Sequence, residues 1–169
     1  MLKNIDSKLY EAIQVERLTY NSHNFCINKD AIEDAKGPLH DKFNLLAVAW
    51  DSKGQEYTAL VEHKKYPIYA SQFHPEKNPF EWSVYLDIPH TQNGIYFTQY
   101  LANFFIGEAR KNNNHYPNPI TFYKENINNY SPVYTMIGSN ATIESCYFFH
   151  VYRSDLNDET DKYFMDIKF

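Results

Sequence analysis

The residue pair with the clearest chemical potential in this sequence is His74 and Glu76, separated by Pro75. The pair follows the apolar run 66–73, which predicts a β-strand, and side chains at positions i and i+2 of an extended segment point the same way. A carboxylate beside one imidazole nitrogen fixes the tautomer and stabilises imidazolium, while the other nitrogen handles a proton. The pattern predicts either two members of a nucleophile–histidine–acid triad or a surface histidine in a proline-rich turn.

A cysteine nucleophile to complete such a triad is harder to identify. Cys26 lies three residues after His23, and a Cys–His pair can support covalent catalysis. The surrounding sequence SHNFCINKD has no glycine to form an exposed nucleophile elbow, so we interpret Cys26 as a buried or neutral surface thiol. The only other cysteine is Cys146, and two cysteines are too few for a disulfide scaffold.

Length and composition limit the class of protein. The chain has 169 residues, 43% of them hydrophobic and 22% charged, with a net charge of −5, which fits one globular domain. No run approaches the roughly 18 apolar residues of a membrane helix, and the acidic balance argues against a nucleic-acid partner. The seven histidines are scattered without ligand spacing, so we expect no metal and no conventional cofactor.

The elements that must position His74 follow from the hydrophobic pattern. Apolar runs predict strands at 25–27, 43–50, 56–63, 66–73 and 146–153. Turns are predicted at 34–41 and, within a hairpin, at 51–55. The proline-containing segments 74–82 and 112–132 are interpreted as loops. This mixture of strands with helices indicates an α/β or α+β fold.

Two segments have helical spacing. The first is 2–16, with Asp6 or Ser7 as a plausible N-cap. The second is 92–111, and its apolar residues predict one buried face, formed by Ile95, Phe97, Leu101, Phe104, Phe105 and Ala109.

The run YPIYASQFHPEKNPFEW, residues 66–82, resembles the C-terminal signature of the gamma-glutamyl hydrolases, in the class I glutamine amidotransferase-like superfamily. The resemblance covers about residues 1–150 and includes LTYNSH (18–23), LANFFIGEARKNNNHY (101–116), SPVYT (131–135) and CYFF (146–149). It implies an α/β, flavodoxin-like fold, represented here by its C-terminal part as a mixed sheet with flanking helices. We therefore predict that residues 1–153 form that part and that 154–169 form an acidic extension.

The resemblance also implies roles for individual residues. His74 matches the catalytic histidine, Glu76 matches the carboxylate behind it, and His23 matches a substrate-binding histidine. The loop 80–82 (Phe-Glu-Trp) matches a family loop that we interpret as structural. The family reaction is hydrolysis of gamma-glutamyl bonds, best known on folate poly-gamma-glutamates, by a Cys-His-Glu triad. A thiolate forms a thioester and backbone N–H groups stabilise the oxyanion, while His74 would protonate the leaving amine and then activate water.

One part of the family pattern is not found. The resemblance implies a nucleophilic cysteine in a Gly-x-Cys-x-Gly-like elbow and a Gly-rich oxyanion loop, and neither occurs in this sequence. Both belong to the N-terminal half of the family fold, so we expect Met1 to match an internal methionine of the family. The chain alone is therefore expected to be inactive and to expose apolar surface and a sheet edge. We expect its partner to be the missing N-terminal half or a second copy.

Two alternative functions stay open, and localisation follows the family. The chain would otherwise be a non-catalytic paralogue acting as a binding or assembly subunit, or a glutamine amidotransferase module that passes ammonia to a synthase.

The resemblance implies a lysosomal, vacuolar or secreted protein, although the opening residues MLKNIDSKLYE contain no signal peptide. Glycosylation sequons begin at Asn129 and Asn140.

Overall fold

The computed structural model describes residues 1–135 and 145–148. The chain divides into two compact units, Met1–Asn113 and Asn114–Phe169. The predicted extension at 154–169, most of the predicted strand 146–153 and the sequon at Asn140 lie outside the described residues. The predicted domain boundary at residue 153 therefore stays a prediction.

The first unit is built on a three-stranded antiparallel sheet. Its strands, in spatial order, are β1 (Phe43–Trp50), β2 (Glu56–His63) and β3 (Tyr69–Ser71). The bounds predicted for β1 and β2 are confirmed. Their hairpin turn is stabilised by the Asp51 carboxylate, which accepts hydrogen bonds from the backbone N–H groups of Lys53 and Gln55, both at 2.8 Å.

Strand β3 is shorter than the predicted strand 66–73. The ring Nδ1 of His63 accepts hydrogen bonds from the backbone N–H groups of Lys65 and Tyr66, both at 3.0 Å. These bonds form a turn between β2 and β3, so the backbone becomes extended only at Tyr69. The prediction of a strand at 25–27 is wrong, because these residues have no regular structure, although the Ile27 carbonyl accepts a bond from the Thr58 N–H at 2.9 Å.

Two α-helices precede the strands of this sheet in the chain, and two follow them. They are α1 (Ser7–Val15), α2 (Asp30–Glu33), α3 (Lys77–Phe80) and α4 (Gln92–Ala109). The helix predicted over 92–111 is confirmed as α4. The helix predicted over 2–16 is confirmed only over Ser7–Val15, because Leu2–Asn4 form a separate 3-10 turn. The Asp6 carboxylate caps α1 by accepting from the N–H groups of Lys8 and Leu9. The loop prediction for 74–82 is wrong in part, because α3 forms a single helical turn within it.

The core of the first unit lies between the sheet and α1 and α4. Its buried apolar residues are Ala12, Leu18, Leu60, Phe73, Phe97 and Leu101. The predicted apolar face of α4 is only partly correct, because Phe97 and Leu101 are buried whereas Phe105 is 62% exposed and Ala109 is also exposed.

The second unit contains the helix α5 (Pro119–Glu125) and a two-stranded antiparallel ladder, β4 (Val133–Tyr134) with β5 (Ser145–Cys146). The loop predicted at 112–132 is therefore wrong in part. Asn118 supplies the reason, because its side-chain oxygen accepts a hydrogen bond from the Thr121 N–H at 2.9 Å and so caps α5.

The observed architecture is mixed α/β, as predicted. Across the described residues, no helix combines the length and the apolar character needed to cross a membrane.

Candidate active site

His74 and Glu76 are in direct contact, with the ring Nδ1 2.9 Å from Glu76 Oε1. This predicted contact is confirmed, but it is produced by a turn and not by an extended strand. Strand β3 ends at Ser71, and Glu76 has helical backbone angles of φ −73° and ψ −22° as the N-cap of α3. The side-chain exposures of 29% for His74 and 62% for Glu76 leave the pair accessible to a ligand.

The contact defines how the His74 ring can handle a proton. An ionised carboxylate only accepts hydrogen bonds, so the proton shared in this contact is carried by His74 Nδ1. In the neutral ring the other nitrogen, Nε2, carries the lone pair, and it has no hydrogen-bond partner among residues 1–135 and 145–148. This is the arrangement in which an imidazole exchanges a proton with a bound substrate.

Tyr20 supports the His74 ring and was not identified from the sequence. Its carbonyl oxygen accepts a hydrogen bond from the His74 backbone N–H at 2.9 Å, and the two ring centroids are 6.1 Å apart. The Lys77 ammonium lies 5.7 Å from the centroid of the Tyr20 ring and also forms an ion pair with Glu81. The signal in the sequence that could have identified Tyr20 is its place within the family-like segment LTYNSH.

His23 lies on the same segment as Tyr20 but does not join the His74–Glu76 pair. Its Nδ1 is 3.1 Å from the Phe25 carbonyl, and its ring makes an edge-on contact with Tyr57 at a centroid distance of 5.2 Å. In the described part of the chain it makes neither a hydrogen bond nor a ring contact with His74 or Glu76. Its substrate-binding role therefore stays a prediction.

Both cysteines are free thiols, and within the first unit Cys26 makes no hydrogen bond with His74. Cys26 is exposed, and its charge contributes to the electrostatic environment of Tyr57. Cys146 belongs to the second unit, where its Sγ is 3.6 Å from Thr135 Oγ1. Of the two interpretations of Cys26, a buried thiol or a surface thiol, its exposure agrees with the surface thiol.

Burial raises the pKa of Tyr57 above its ordinary value of 10.0, and charges on Cys26 and Asp51 raise it further. A raised pKa in the folded state means that stability is complete below the ordinary value and is lost as the pH rises through the raised value. We expect Tyr57→Phe to reduce the fall in thermal midpoint between about pH 9 and pH 11. Equal falls in the wild type and the variant would contradict this assignment.

An apolar groove of about 340 Å³ lies next to Glu76. Residues of β2, β3, α3 and α4 line it, including Leu60, Tyr69, Phe80, Leu101, Phe104 and Phe105. Strand β3 is last in the strand order, so in the described part of the chain its outer edge has no paired strand. Glu76 thus lines a groove whose wall includes β3, the last strand of the described sheet.

Comparisons with known proteins identify the family of this chain. Residues 2–86, which include His23, His74 and Glu76, match the family described as glutamine amidotransferase class-I. The chain is 38% identical over 151 residues to a gamma-glutamyl hydrolase from Rattus norvegicus, covering 89% of this chain and 46% of the relative. It is 37% identical to the Homo sapiens gamma-glutamyl hydrolase, covering 88% of this chain and 46% of the relative.

Gamma-glutamyl hydrolase B from Dictyostelium discoideum is 35% identical over 150 residues, covering 89% of this chain and 42% of the relative. The chain therefore spans less than half the length of the curated relatives it matches.

Proposed function

Since this chain belongs to the glutamine amidotransferase class-I family, we propose that it supplies the histidine and the carboxylate of a gamma-glutamyl hydrolase. The observation that supports this most strongly is the 2.9 Å contact between His74 Nδ1 and Glu76 Oε1. The relatives are gamma-glutamyl hydrolases, and their name supplies the reaction class. Poly-gamma-glutamate chains, including those on folate, are the proposed substrates.

In the proposed reaction, a cysteine thiol passes its proton to His74 Nε2, and the resulting thiolate attacks the side-chain carbonyl carbon of a gamma-glutamyl group, so that a C–S bond forms. The tetrahedral intermediate collapses, the C–N bond breaks and the leaving amine takes a proton from His74 Nε2. His74 Nε2 then removes a proton from water, which attacks the thioester carbon and breaks the C–S bond. Glu76 keeps Nδ1 protonated throughout and stabilises the imidazolium.

The nucleophile in this proposal comes from the part of the family domain that this chain does not match. Cys26 is a poor candidate because it is exposed and has no glycine-containing elbow around it. We propose that the additional polypeptide covers the groove beside Glu76. An open strand edge bordered by apolar side chains favours an added β-strand with apolar side chains at alternate positions.

The same groove is the observation that favours a second candidate function. A chain that binds a partner through the edge of β3 without contributing to catalysis would act as a binding or assembly subunit. Phe80 and Phe105 border the groove and are 76% and 62% exposed, which is typical of a surface that another polypeptide covers.

We also propose, from the family resemblance, that the protein belongs to the secretory route and functions in a lysosome, in a vacuole or outside the cell. The Asn129 side-chain nitrogen already donates to the carbonyls of Tyr123 and Lys124, at 2.5 and 3.1 Å. A glycan on Asn129 would disrupt these bonds, so Asn140 is the better candidate for modification.

The test joins this chain to the part of the Rattus norvegicus relative that it does not match, and measures glutamate release from a poly-gamma-glutamate peptide. We expect hydrolysis by the joined protein and none by either part alone, because the triad is divided between the two parts. A joined protein that unfolds cooperatively and binds the peptide without hydrolysing it would contradict the enzymatic proposal and favour the assembly subunit.

A further inference from the structure

Asn78 is the most completely buried polar residue of the first unit, with an exposure of 0%. Its side-chain Nδ2 donates hydrogen bonds to the carbonyl oxygens of Leu18 and Pro89, at 3.0 and 2.5 Å. A buried carboxamide is costly unless it is hydrogen-bonded; these two bonds satisfy its nitrogen, while Oδ1 has no partner in the described part of the chain. Asn78 therefore connects α3 to two segments that are distant from it in sequence.

The turn that carries His74 and Glu76 is fastened to the segment 18–20 at both ends. At its start, the His74 backbone N–H donates to the Tyr20 carbonyl at 2.9 Å. At its end, the Asn78 side chain donates to the Leu18 carbonyl at 3.0 Å. The first of these bonds places the Tyr20 and His74 ring centroids 6.1 Å apart. The second bond helps to hold the two segments in this relative position.

The main chain of Asn78 is held as well. The His90 ring donates from Nδ1 to the Asn78 carbonyl oxygen at 2.8 Å, and the same ring stacks on Trp82 with a centroid distance of 3.7 Å and an interplanar angle of 5°. Helix α4 approaches closely at Gly94, where an added Cβ would lie 3.3 Å from Asn78 Nδ2. Asn78 is therefore restrained from several directions and can transmit that restraint to the turn.

We infer that Asn78 is a positioning residue for the His74–Glu76 pair. Its carboxamide holds the turn 74–78 next to the segment 18–20. This keeps the His74 ring beside the Tyr20 ring, with Nδ1 directed at Glu76. The inference rests on the proposed function for its catalytic meaning, but the positioning itself can be measured without any hydrolysis.

The test compares Asn78→Ser with Thr98→Val in the full chain. Thr98 is a matched control because it is 2% exposed and its hydroxyl bonds only within α4, to the carbonyls of Gly94 and Ile95 at 3.0 and 3.2 Å. Amide hydrogen exchange is measured at His74 and along β2, and ¹⁵N shifts of the His74 ring report its tautomer.

We expect Asn78→Ser to lower the protection of the His74 amide by about 10-fold more than that of the β2 amides, because a buried hydrogen bond is lost locally. The preference of the ring for the Nδ1–H tautomer should also weaken. Thr98→Val should lower protection by the same factor at both places and leave the tautomer unchanged. A uniform loss in Asn78→Ser, with an unchanged tautomer, would overturn the inference.

His90→Phe provides a second variant if Asn78→Ser does not fold. It keeps an aromatic ring on Trp82 but removes the bond to the Asn78 carbonyl, and it should again raise exchange at His74 above that in β2. Uniform exchange would overturn the inference. In the joined enzyme, the weaker seating of His74 should lower kcat about 10-fold with little change in KM. An inactive joined wild type would contradict the proposed function, while the exchange data would still decide the role of Asn78.

Discussion

His74→Gln should lower hydrolysis by the joined enzyme about 10³-fold or more, since general acid–base transfer alone contributes roughly 10² to 10⁴ and triad members act as a unit. Glutamine keeps a polar group of similar length beside Glu76, but it cannot carry a proton to the leaving amine and then accept one from water. The side chain is 29% exposed, so its replacement should change the free energy of unfolding by less than about 1 kcal/mol. Glutamate release and urea unfolding are measured on the same preparation.

The matched control is His40→Gln, the same substitution at a half-buried histidine. His40 Nδ1 lies 2.8 Å from the Ile32 carbonyl, and this contact is separate from the His74 turn. This variant should lose some stability and keep its hydrolytic activity. If His74→Gln retained activity within about 10-fold of the wild type, the assignment of His74 as acid and base would be wrong.

Glu76→Gln should lower hydrolysis by the joined enzyme by a smaller factor, about 10²-fold. The carboxylate acts only through the His74 ring, and it is 62% exposed, so water can stabilise part of the imidazolium charge in its place. The neutral amide can present its NH₂ group to Nδ1, which favours the wrong tautomer. The ratio of the His74 and Glu76 effects therefore separates direct proton transfer from orientation of the ring.

The sequence predicted the His74–Glu76 contact because the two residues are neighbours and a local conformation brings them together. It did not reveal Tyr20 or Asn78 as part of the site. The Asn78 side chain bonds to a carbonyl 60 positions away, and no local pattern distinguishes this asparagine from the many others in the chain. Contacts of that range are decided by packing of the whole unit, which a pattern of residue types does not specify.

The same distinction explains the fold predictions. The hairpin of β1 and β2 was predicted with its correct bounds because the turn chemistry of Asp51 and Gly54 is local; Gly54 has a φ of +76°, which favours glycine. The start of β3 depends on bonds to the His63 ring, and the capped helix α5 depends on Asn118, so both were missed where apolar spacing was weak. The buried face of α4 depends on where the sheet lies, and spacing alone could not identify it.

Phe97→Ala should lower the free energy of unfolding by about 3–5 kcal/mol, which is the usual cost of removing a buried phenylalanine and leaving a cavity. Phe97 is 2% exposed and packs in the core with Leu60 and Phe73, whose ring centroid is 5.9 Å away. Urea unfolding followed by circular dichroism measures the loss. A loss this large is a considerable part of the total stability of an ordinary domain.

Phe105→Ala is the matched control, because it makes the same substitution on the same helix two turns later. Phe105 is 62% exposed and lines the groove beside Glu76, so its removal from the chain alone should cost less than about 1 kcal/mol. Its effect should instead appear as weaker association with the polypeptide that covers the groove. Equal losses for the two variants in the chain alone would mean that α4 buries the whole stripe predicted from spacing, and that the groove is part of the core.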